Sequence, residues 1–164
     1  PAHKFINVLY EKVPVIKIIA EDLGELSHEV RSLRKIKNIP GMQVLQFFYD
    51  QLSKDFELGI ITNGFDDTQN IKLKFSKIDH YFNWVVTSES SGHRKPAKGI
   101  FDFTLDCSGG SREDMVIIGD NLRTDVLGAY NAGWRSVWYN PLKESIPRSQ
   151  LQVHDLIELP AIFM

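Results

Sequence analysis

The chain has 164 residues, enough for one domain or for one domain with part of a second. Hydrophobic residues make up 43% and charged residues 24%, which is typical of a soluble globular protein with a packed core. The formal net charge of -2 gives no electrostatic signal for nucleic acid or for an anionic membrane, and no apolar run is long enough to span a bilayer. We therefore expect neither a nucleic-acid partner nor a membrane partner.

Cysteine usage indicates the compartment. Cys107 is the single cysteine, so an intrachain disulfide cannot form, and no motif surrounds this thiol. This pattern fits a reducing compartment, and we expect a cytoplasmic protein.

The predicted elements change character near the Pro40-Gly41 pair. Before it, apolar residues recur at helical spacing. After it, helices alternate with short apolar strands, beginning with a helix near residues 42–52. Four strands are predicted, at residues 58–61, 84–86, 115–118 and 136–139.

Three further helices are predicted between these strands. The first carries Ile71, Phe75 and Ile78 on one face, and the second begins near Pro96. The third follows the strand at residues 115–118 and closes at Gly133. Short apolar strands separated by amphipathic helices favour parallel pairing with right-handed crossovers. We predict a doubly wound parallel α/β sheet, in which ligands bind at the carboxyl ends of the strands.

The first polar signal at a strand end is the sequence Thr62, Asn63 and Gly64. A hydroxyl followed by free backbone N–H groups and a glycine can hold a phosphate oxygen. The alternative is an ordinary turn made from common turn residues.

The second signal is Lys95, which precedes Pro96 after the second strand. A lysine at the mouth of a sheet can neutralise a phosphoryl group and the carboxylates around it. Lys98 is a second candidate, and we prefer Lys95 because Pro96 fixes its position relative to the helix start. The alternative is a solvated surface lysine.

The third signal is Asp120 together with Asp125, directly after the strand at residues 115–118. Two carboxylates near one strand end suit Mg²⁺, which prefers oxygen ligands. For Asp125 the alternative is a place in the first helical turn, where its charge suits the helix dipole.

In this order and spacing, the three signals resemble the haloacid dehalogenase superfamily of phosphohydrolases. The likeness covers residues 39 to about 139 and includes the Gly-Asp-x-x-x-x-Asp pattern at 119–125. Within the superfamily the chain looks most like the pyrimidine 5′-nucleotidases, through residues 61–65, and like N-acylneuraminate-9-phosphatase. The Gly-Asp pair argues for phosphate chemistry over dehalogenation.

The resemblance implies a role for each site residue. Thr62 and the backbone of Asn63 and Gly64 would bind the phosphoryl group of a small phosphate monoester. Lys95 would stabilise the charge of phosphate and nucleophile. Asp120 would ligate Mg²⁺, and Asp125 would either ligate it as well or support its ligands. The family's reaction passes through an aspartyl-phosphate that water then hydrolyses.

The chain departs from the family at the first motif, an apolar strand that ends in Asp-x-Asp. No Asp-x-Asp occurs upstream of Thr62. Asp22 and Gly24 follow an apolar run, but the aspartate pair is absent and Lys17 interrupts the run. We therefore interpret residues 1–38 as a helical cap-domain remnant, and residues 39–164 as a core that lacks its first strand.

A missing central strand would expose two backbone edges. We expect the chain to be unstable, to form a homodimer through the exposed edge, or to fill the gap with its own N-terminal segment. Two functions stay open: a Mg²⁺-dependent phosphomonoesterase without its nucleophile, and an inactive short form that binds phosphate, metal or protein. A receiver-like domain is disfavoured, because its acidic cluster would lie early in the chain.

Overall fold

The computed structural model describes residues 17–20, 49–145 and 150–163. Residues 49–52 are helical. The strands of this part are β1 Lys17–Ala20, β2 Glu57–Thr62, β3 Phe82–Thr87, β4 Met115–Gly119, β5 Arg135–Tyr139 and β6 Gln152–Val153. The α-helices are α1 Asp66–Ser76, α2 Ser88–Ser91, α3 Lys98–Ser108, α4 Leu127–Ala132 and α5 Leu159–Phe163. A π-helical turn, Leu122–Val126, leads into α4.

The described strands form one parallel sheet with the order β3-β2-β1-β4-β5-β6. This order is that of the Rossmann fold, in which ligands bind outside the carboxyl ends of the strands where the order reverses. The reversal lies between β1 and β4. The predicted doubly wound parallel sheet is confirmed, and the edge around β2, β1 and β4 is the place for a site.

The central strand comes from an unexpected part of the chain. Lys17–Ala20 pairs in parallel with β2 on one side and β4 on the other, so that Ala20 lies opposite Ile60 and Ile118. The prediction of a helical remnant is therefore wrong for these four residues, and so is the prediction of a vacant strand position. Of the three expected consequences, filling of the gap by the N-terminal segment is the one that the structure shows.

The reason for this difference is tertiary pairing. Two consecutive isoleucines favour extended backbone, and the facing edges of β2 and β4 offer backbone groups that only a strand between them can satisfy. That pairing outweighs the helical spacing. It also occupies the edges through which the predicted homodimer would form. The rest of residues 1–38, the boundary at residue 38 and Asp22 lie outside the described residues.

Alternating side chains along the strands form a core on each face of the sheet. Leu58 and Ile60 of β2 point to one face and Ile61 points to the other. The first core includes Tyr49, Leu52, Leu58, Ile60, Leu73, Ile78, Val116, Ile118, Val137 and Leu159. The second includes Ile61, Val86, Ile100, Phe101, Met115, Ile117, Ala129, Ala132 and Trp134. Because both faces are covered, the strands are continuously apolar.

Helix α1 buries a different face from the one that its apolar residues predict. Ile71 and Phe75 are 68% and 85% exposed, whereas Gln69 and Leu73 are buried. The prediction of a common inward face for Ile71, Phe75 and Ile78 is wrong. Ile78 is buried because Lys77 adopts a left-handed conformation that ends the helix and redirects the chain inward. The buried polar residue on α1, Gln69, contacts Thr62 at the end of β2.

The longest described α-helices, α1 and α3, have 11 residues each. A helix needs about 20 apolar residues to cross the hydrocarbon core of a bilayer. Across the described ranges, none of the helices has the length and apolar character for such a span.

The contact between Gly59 and Trp84 leads to a test of the fold. A Cβ added to Gly59 would lie 1.8–2.0 Å from atoms of the Trp84 ring, which covers this glycine from the neighbouring strand. We expect Gly59→Ala to lower the free energy of unfolding by about 1–3 kcal/mol through overpacking, as measured by urea denaturation. The double variant Gly59→Ala/Trp84→Leu should recover part of the loss. Unchanged stability of Gly59→Ala would contradict the close packing.

Candidate active site

Thr62 lies at the carboxyl end of β2, and its side chain is almost fully buried. Its Oγ1 accepts hydrogen bonds from the backbone N–H of Gly64 at 3.1 Å and from Nε2 of Gln69 at 3.3 Å. A hydroxyl has two acceptor positions and one donor hydrogen. With both acceptor positions occupied, the hydrogen is left to donate to another group, such as a phosphoryl oxygen.

Lys95 is the buried cation of the site. Its Nζ donates to the backbone carbonyl of Ile61 at 3.0 Å and forms an ion pair with Oδ1 of Asp125 at 3.1 Å. The side chains of Lys95 and Asp125 are both 0% exposed. The lysine thus connects the end of β2 with the loop after β4, across the end of the central strand. The competing candidate, Lys98, instead pairs with the exposed Asp102 on the outer surface of α3.

Asn63 holds the backbone of Lys95 through its side-chain amide. The N–H of Lys95 donates to Oδ1 of Asn63 at 2.7 Å, and Nδ2 of Asn63 donates to the carbonyl of Lys95 at 3.2 Å. The loop after β2, which carries Asn63, is in turn held by Ser88. The Ser88 hydroxyl lies 2.9 Å from the carbonyl of Asn63 and 3.1 Å from that of Gly64. The side chain of Asn63 therefore fixes the loop that carries the buried cation.

The carboxylate of Asp125 is engaged on both oxygens. Oδ2 accepts from the backbone N–H of Asn121 at 3.0 Å, and Oδ1 accepts from the Thr124 hydroxyl at 3.0 Å as well as from Lys95. Gly119 makes this arrangement possible, because a Cβ there would lie 2.5 Å from Asp125. Of the two roles predicted for Asp125, this geometry favours support of the site over direct binding of a metal.

Asp120 follows β4 and is exposed at the same edge of the sheet. Its backbone carbonyl accepts a hydrogen bond of 2.8 Å from Nε1 of Trp138 in β5. Among the described residues, no group of three or more His, Cys, Asp or Glu side chains could hold a metal ion. Mg²⁺ commonly binds proteins through one or two carboxylates and completes its shell with waters and substrate phosphate. Asp120 fits this kind of site as a ligand.

The structure brings together the residues that the sequence predicts for the site. Hydrogen bonds and the ion pair connect Asn63, Lys95 and Asp125 across the carboxyl ends of β2 and β4. Thr62 and Gly64 are hydrogen-bonded to each other in the turn after β2, and Asp120 directly follows β4. The chemistry of this edge of the sheet fits an anion site: it carries a hydroxyl donor and a dehydrated cation, together with an exposed carboxylate suited to a hard metal ion.

Comparison with known proteins agrees with this geometry. Residues 3–139 match the family model described as haloacid dehalogenase-like hydrolase. The chain belongs to this family. The match includes β1, so the central strand lies within the matched region.

Curated relatives include phosphatases and a nucleotidase. The chain is 40% identical over 85 residues to pyrimidine 5′-nucleotidase YjjG of Escherichia coli, which covers 51% of this chain and 38% of that protein. It is 36% identical over 118 residues to human N-acylneuraminate-9-phosphatase, which covers 68% of this chain and 47% of that protein. The chain thus spans about half the length, or less, of these relatives.

Solved structures show the same fold. The magnesium-bound HAD-hydrolase YfnB of Bacillus subtilis superimposes with a TM-score of 0.73 and 20% identity, over 91% of this chain and 98% of that chain. A HAD phosphatase from Thermococcus onnurineus gives a TM-score of 0.64 and 30% identity, over 70% of this chain and 54% of that one.

Three residues of the site were not predicted in these roles. Gln69 contacts Thr62, Ser88 holds the loop after β2, and Trp138 holds the backbone of Asp120. No sequence signal indicates Gln69, because the apolar residues of α1 predict a different inward face. Trp138 carries no signal, because an apolar residue in a strand is expected in the core.

The buried ion pair leads to a prediction about stability. We expect Asp125→Ala to lower the free energy of unfolding by about 3–5 kcal/mol, because it leaves the ammonium group of Lys95 buried without its partner. The double variant Lys95→Met/Asp125→Leu should lose much less. Asp102→Ala, which breaks the exposed pairs with Lys98 and Arg112, should cost about 1 kcal/mol or less in the same urea titration. Equal losses for Asp125→Ala and Asp102→Ala would contradict burial of the pair.

A second prediction concerns the amide of Asn63. Asn63→Ala removes both hydrogen bonds to the backbone of Lys95, and we expect a loss of about 1–3 kcal/mol in unfolding free energy. Hydrogen exchange of the Lys95 backbone amide should become faster, because its acceptor is gone. Asn70→Ala, at an exposed position of α1, is the matched control and should leave that exchange unchanged. Unaltered protection in Asn63→Ala would refute the proposed role of the amide.

Proposed function

We propose that this chain forms the phosphate-binding core of a Mg²⁺-dependent phosphomonoester hydrolase that acts on a nucleotide or sugar phosphate. The observation that carries this proposal is the dehydrated ammonium group of Lys95, which bridges the Ile61 carbonyl at the end of β2 and the Asp125 carboxylate after β4. Thr62 is the next residue of β2 after Ile61. A cation shielded from water interacts strongly with a charged group placed next to it. Relatives named as a 5′-nucleotidase and a 9-phosphatase support the same reaction class.

Each residue of the site has a defined task in this reaction. Thr62 donates its hydroxyl hydrogen to a phosphoryl oxygen, and the neighbouring backbone N–H groups orient the same group. Lys95 offsets the negative charge that the phosphoryl group and an attacking carboxylate bring together. Asp120 would hold Mg²⁺, which offsets charge on the phosphoryl oxygens when bound. Asp125 holds Lys95 in place and keeps its charge next to the substrate.

The nucleophile is the part of the reaction that the described residues do not supply. In the family a carboxylate follows the central strand, and in this sequence Glu21 and Asp22 follow β1. An aspartyl-phosphate at Asp22 is therefore one form of the proposed reaction. The cytoplasmic location and the homodimer remain predictions.

The second candidate function is a catalytically inactive form that binds phosphate, metal or a protein. The absence of Asp-x-Asp upstream of Thr62 favours it, because the second aspartate of that pair is the family's general acid and base. Such a form would retain the hydroxyl, the cation and the exposed carboxylate of the site without turnover.

An assay with p-nitrophenyl phosphate and Mg²⁺ separates these functions. For an active chain we expect Asp120→Ala to reduce kcat/KM by about a hundredfold or more, because the Mg²⁺ that would offset transition-state charge loses a protein ligand. Asp106→Ala, which removes an exposed carboxylate from α3, should leave kcat/KM unchanged. Asp22→Asn and Glu21→Gln would then show which carboxylate attacks.

The same assay is applied to a chain extended upstream to include an Asp-x-Asp strand. Turnover only by the extended chain would assign the present residues to binding and charge neutralisation. Turnover by neither chain, with inorganic phosphate still bound, would establish the inactive binding form. Turnover that Asp120→Ala leaves intact would overturn the assignment of the metal ligand.

A further inference from the structure

Gln69 is a buried polar side chain outside the sequence motifs of the site. It lies in the first half of α1 and is 2% exposed, although a glutamine on a surface helix normally points to solvent. Its Nε2 lies 3.3 Å from Oγ1 of Thr62. Burying an amide costs free energy unless the amide makes hydrogen bonds, and the contact with Thr62 supplies such a bond for Gln69.

The turn after β2 has the shape that admits this side chain. A Cβ added to Gly64 would lie 2.4 Å from Nε2 of Gln69, so any larger residue would push the amide away. Gly64 is absent from the positive-φ glycines of the described chain, so its backbone conformation does not require glycine. The glycine of the Thr-Asn-Gly sequence is therefore explained by space for Gln69.

We infer that Gln69 is a positioning residue that directs the hydroxyl hydrogen of Thr62 toward the phosphoryl group. This inference depends on the proposed function. The N–H of Gly64 occupies one acceptor position of Oγ1, and the amide of Gln69 occupies the other. The single hydrogen of the hydroxyl must then point away from both donors. Without Gln69, the hydroxyl can rotate and lose its orientation before substrate arrives.

The substitution Gln69→Glu reverses this hydrogen bond with little change in shape. An ionised carboxylate cannot donate, so it accepts the Thr62 hydrogen and withdraws it from the substrate. A protonated carboxyl can donate again and restores the native direction. Burial raises the pKa of a carboxyl group above its usual value near 4.3, so the defect should grow as pH rises and shrink as pH falls.

The first experiment measures binding of inorganic phosphate to the complete chain by calorimetry, in the presence of Mg²⁺, from pH 5.5 to 8.5. Relative to the unmodified chain at each pH, Gln69→Glu should bind at least about tenfold more weakly at high pH and approach equality at low pH. Gln69→Met should show a smaller loss, about two- to threefold, that is independent of pH. Asn70→Asp adds the same charge at an exposed position of α1 and should follow the unmodified chain throughout.

A second experiment needs no ligand. The side-chain Nε2 hydrogens of Gln69 are observed by NMR, and Thr62→Val should accelerate their exchange with water because it removes their acceptor. Gly64→Ala should do the same by displacing the amide. If neither variant changes these signals, Gln69 does not donate to Thr62 and the inference is overturned.

The two experiments separate the inference from the proposed function. A pH-independent and equal loss in Gln69→Glu and Gln69→Met would show that Gln69 is merely structural and would overturn the inference alone. Failure of the unmodified chain to bind phosphate, with the NMR signals responding as expected, would overturn the proposed function and the assigned role together, while the hydrogen bond itself would stand.

Discussion

The ion pair between Lys95 and Asp125 is the interaction on which the rest of this site depends. Two charges with no access to water are costly, and they persist only where further hydrogen bonds satisfy them. Here a strand-end carbonyl, a backbone N–H and a hydroxyl complete the set around the pair. The pair also spans the point where the strand order reverses. A cation that salt would screen at the surface is thus held, together with its carboxylate partner, in a position shielded from water at the carboxyl edge of the sheet.

Around this pair, the supporting contacts come from three separate parts of the fold: the loop after β2, helix α2 and strand β5. The Asn63 amide holds the Lys95 backbone, Ser88 holds the loop of Asn63, and Trp138 holds the carbonyl of Asp120. None of these side chains needs to touch a substrate. A site of this kind places its reactive groups through residues whose own positions are set by packing and hydrogen bonds.

Much of the site can be predicted from the sequence, because its polar residues come at or just after the ends of the predicted strands. The four predicted strands and the placing of Thr62, Lys95 and Asp120 at one edge need only local patterns and the topology of parallel sheets. Two features could not be predicted in this way. Strand β1 forms because two distant strands offer it backbone partners, and the inward face of α1 carries Leu73, which packs in the core, and Gln69, which contacts Thr62. The first depends on strands that are remote in sequence, and the second on how α1 packs against the sheet.

The position of β1 also bears on how the sheet is assembled. Of the described strands it is synthesised first, yet one of its neighbours is β2 and the other is β4, which follows much later in the chain. Until β4 is synthesised, β1 has one unpaired edge, and pairings between such distant segments form slowly. A half-built sheet with an open apolar edge is a site for association with other chains. We therefore expect misfolding and association between chains to begin at the unpaired edge of β1, before β4 has paired with it.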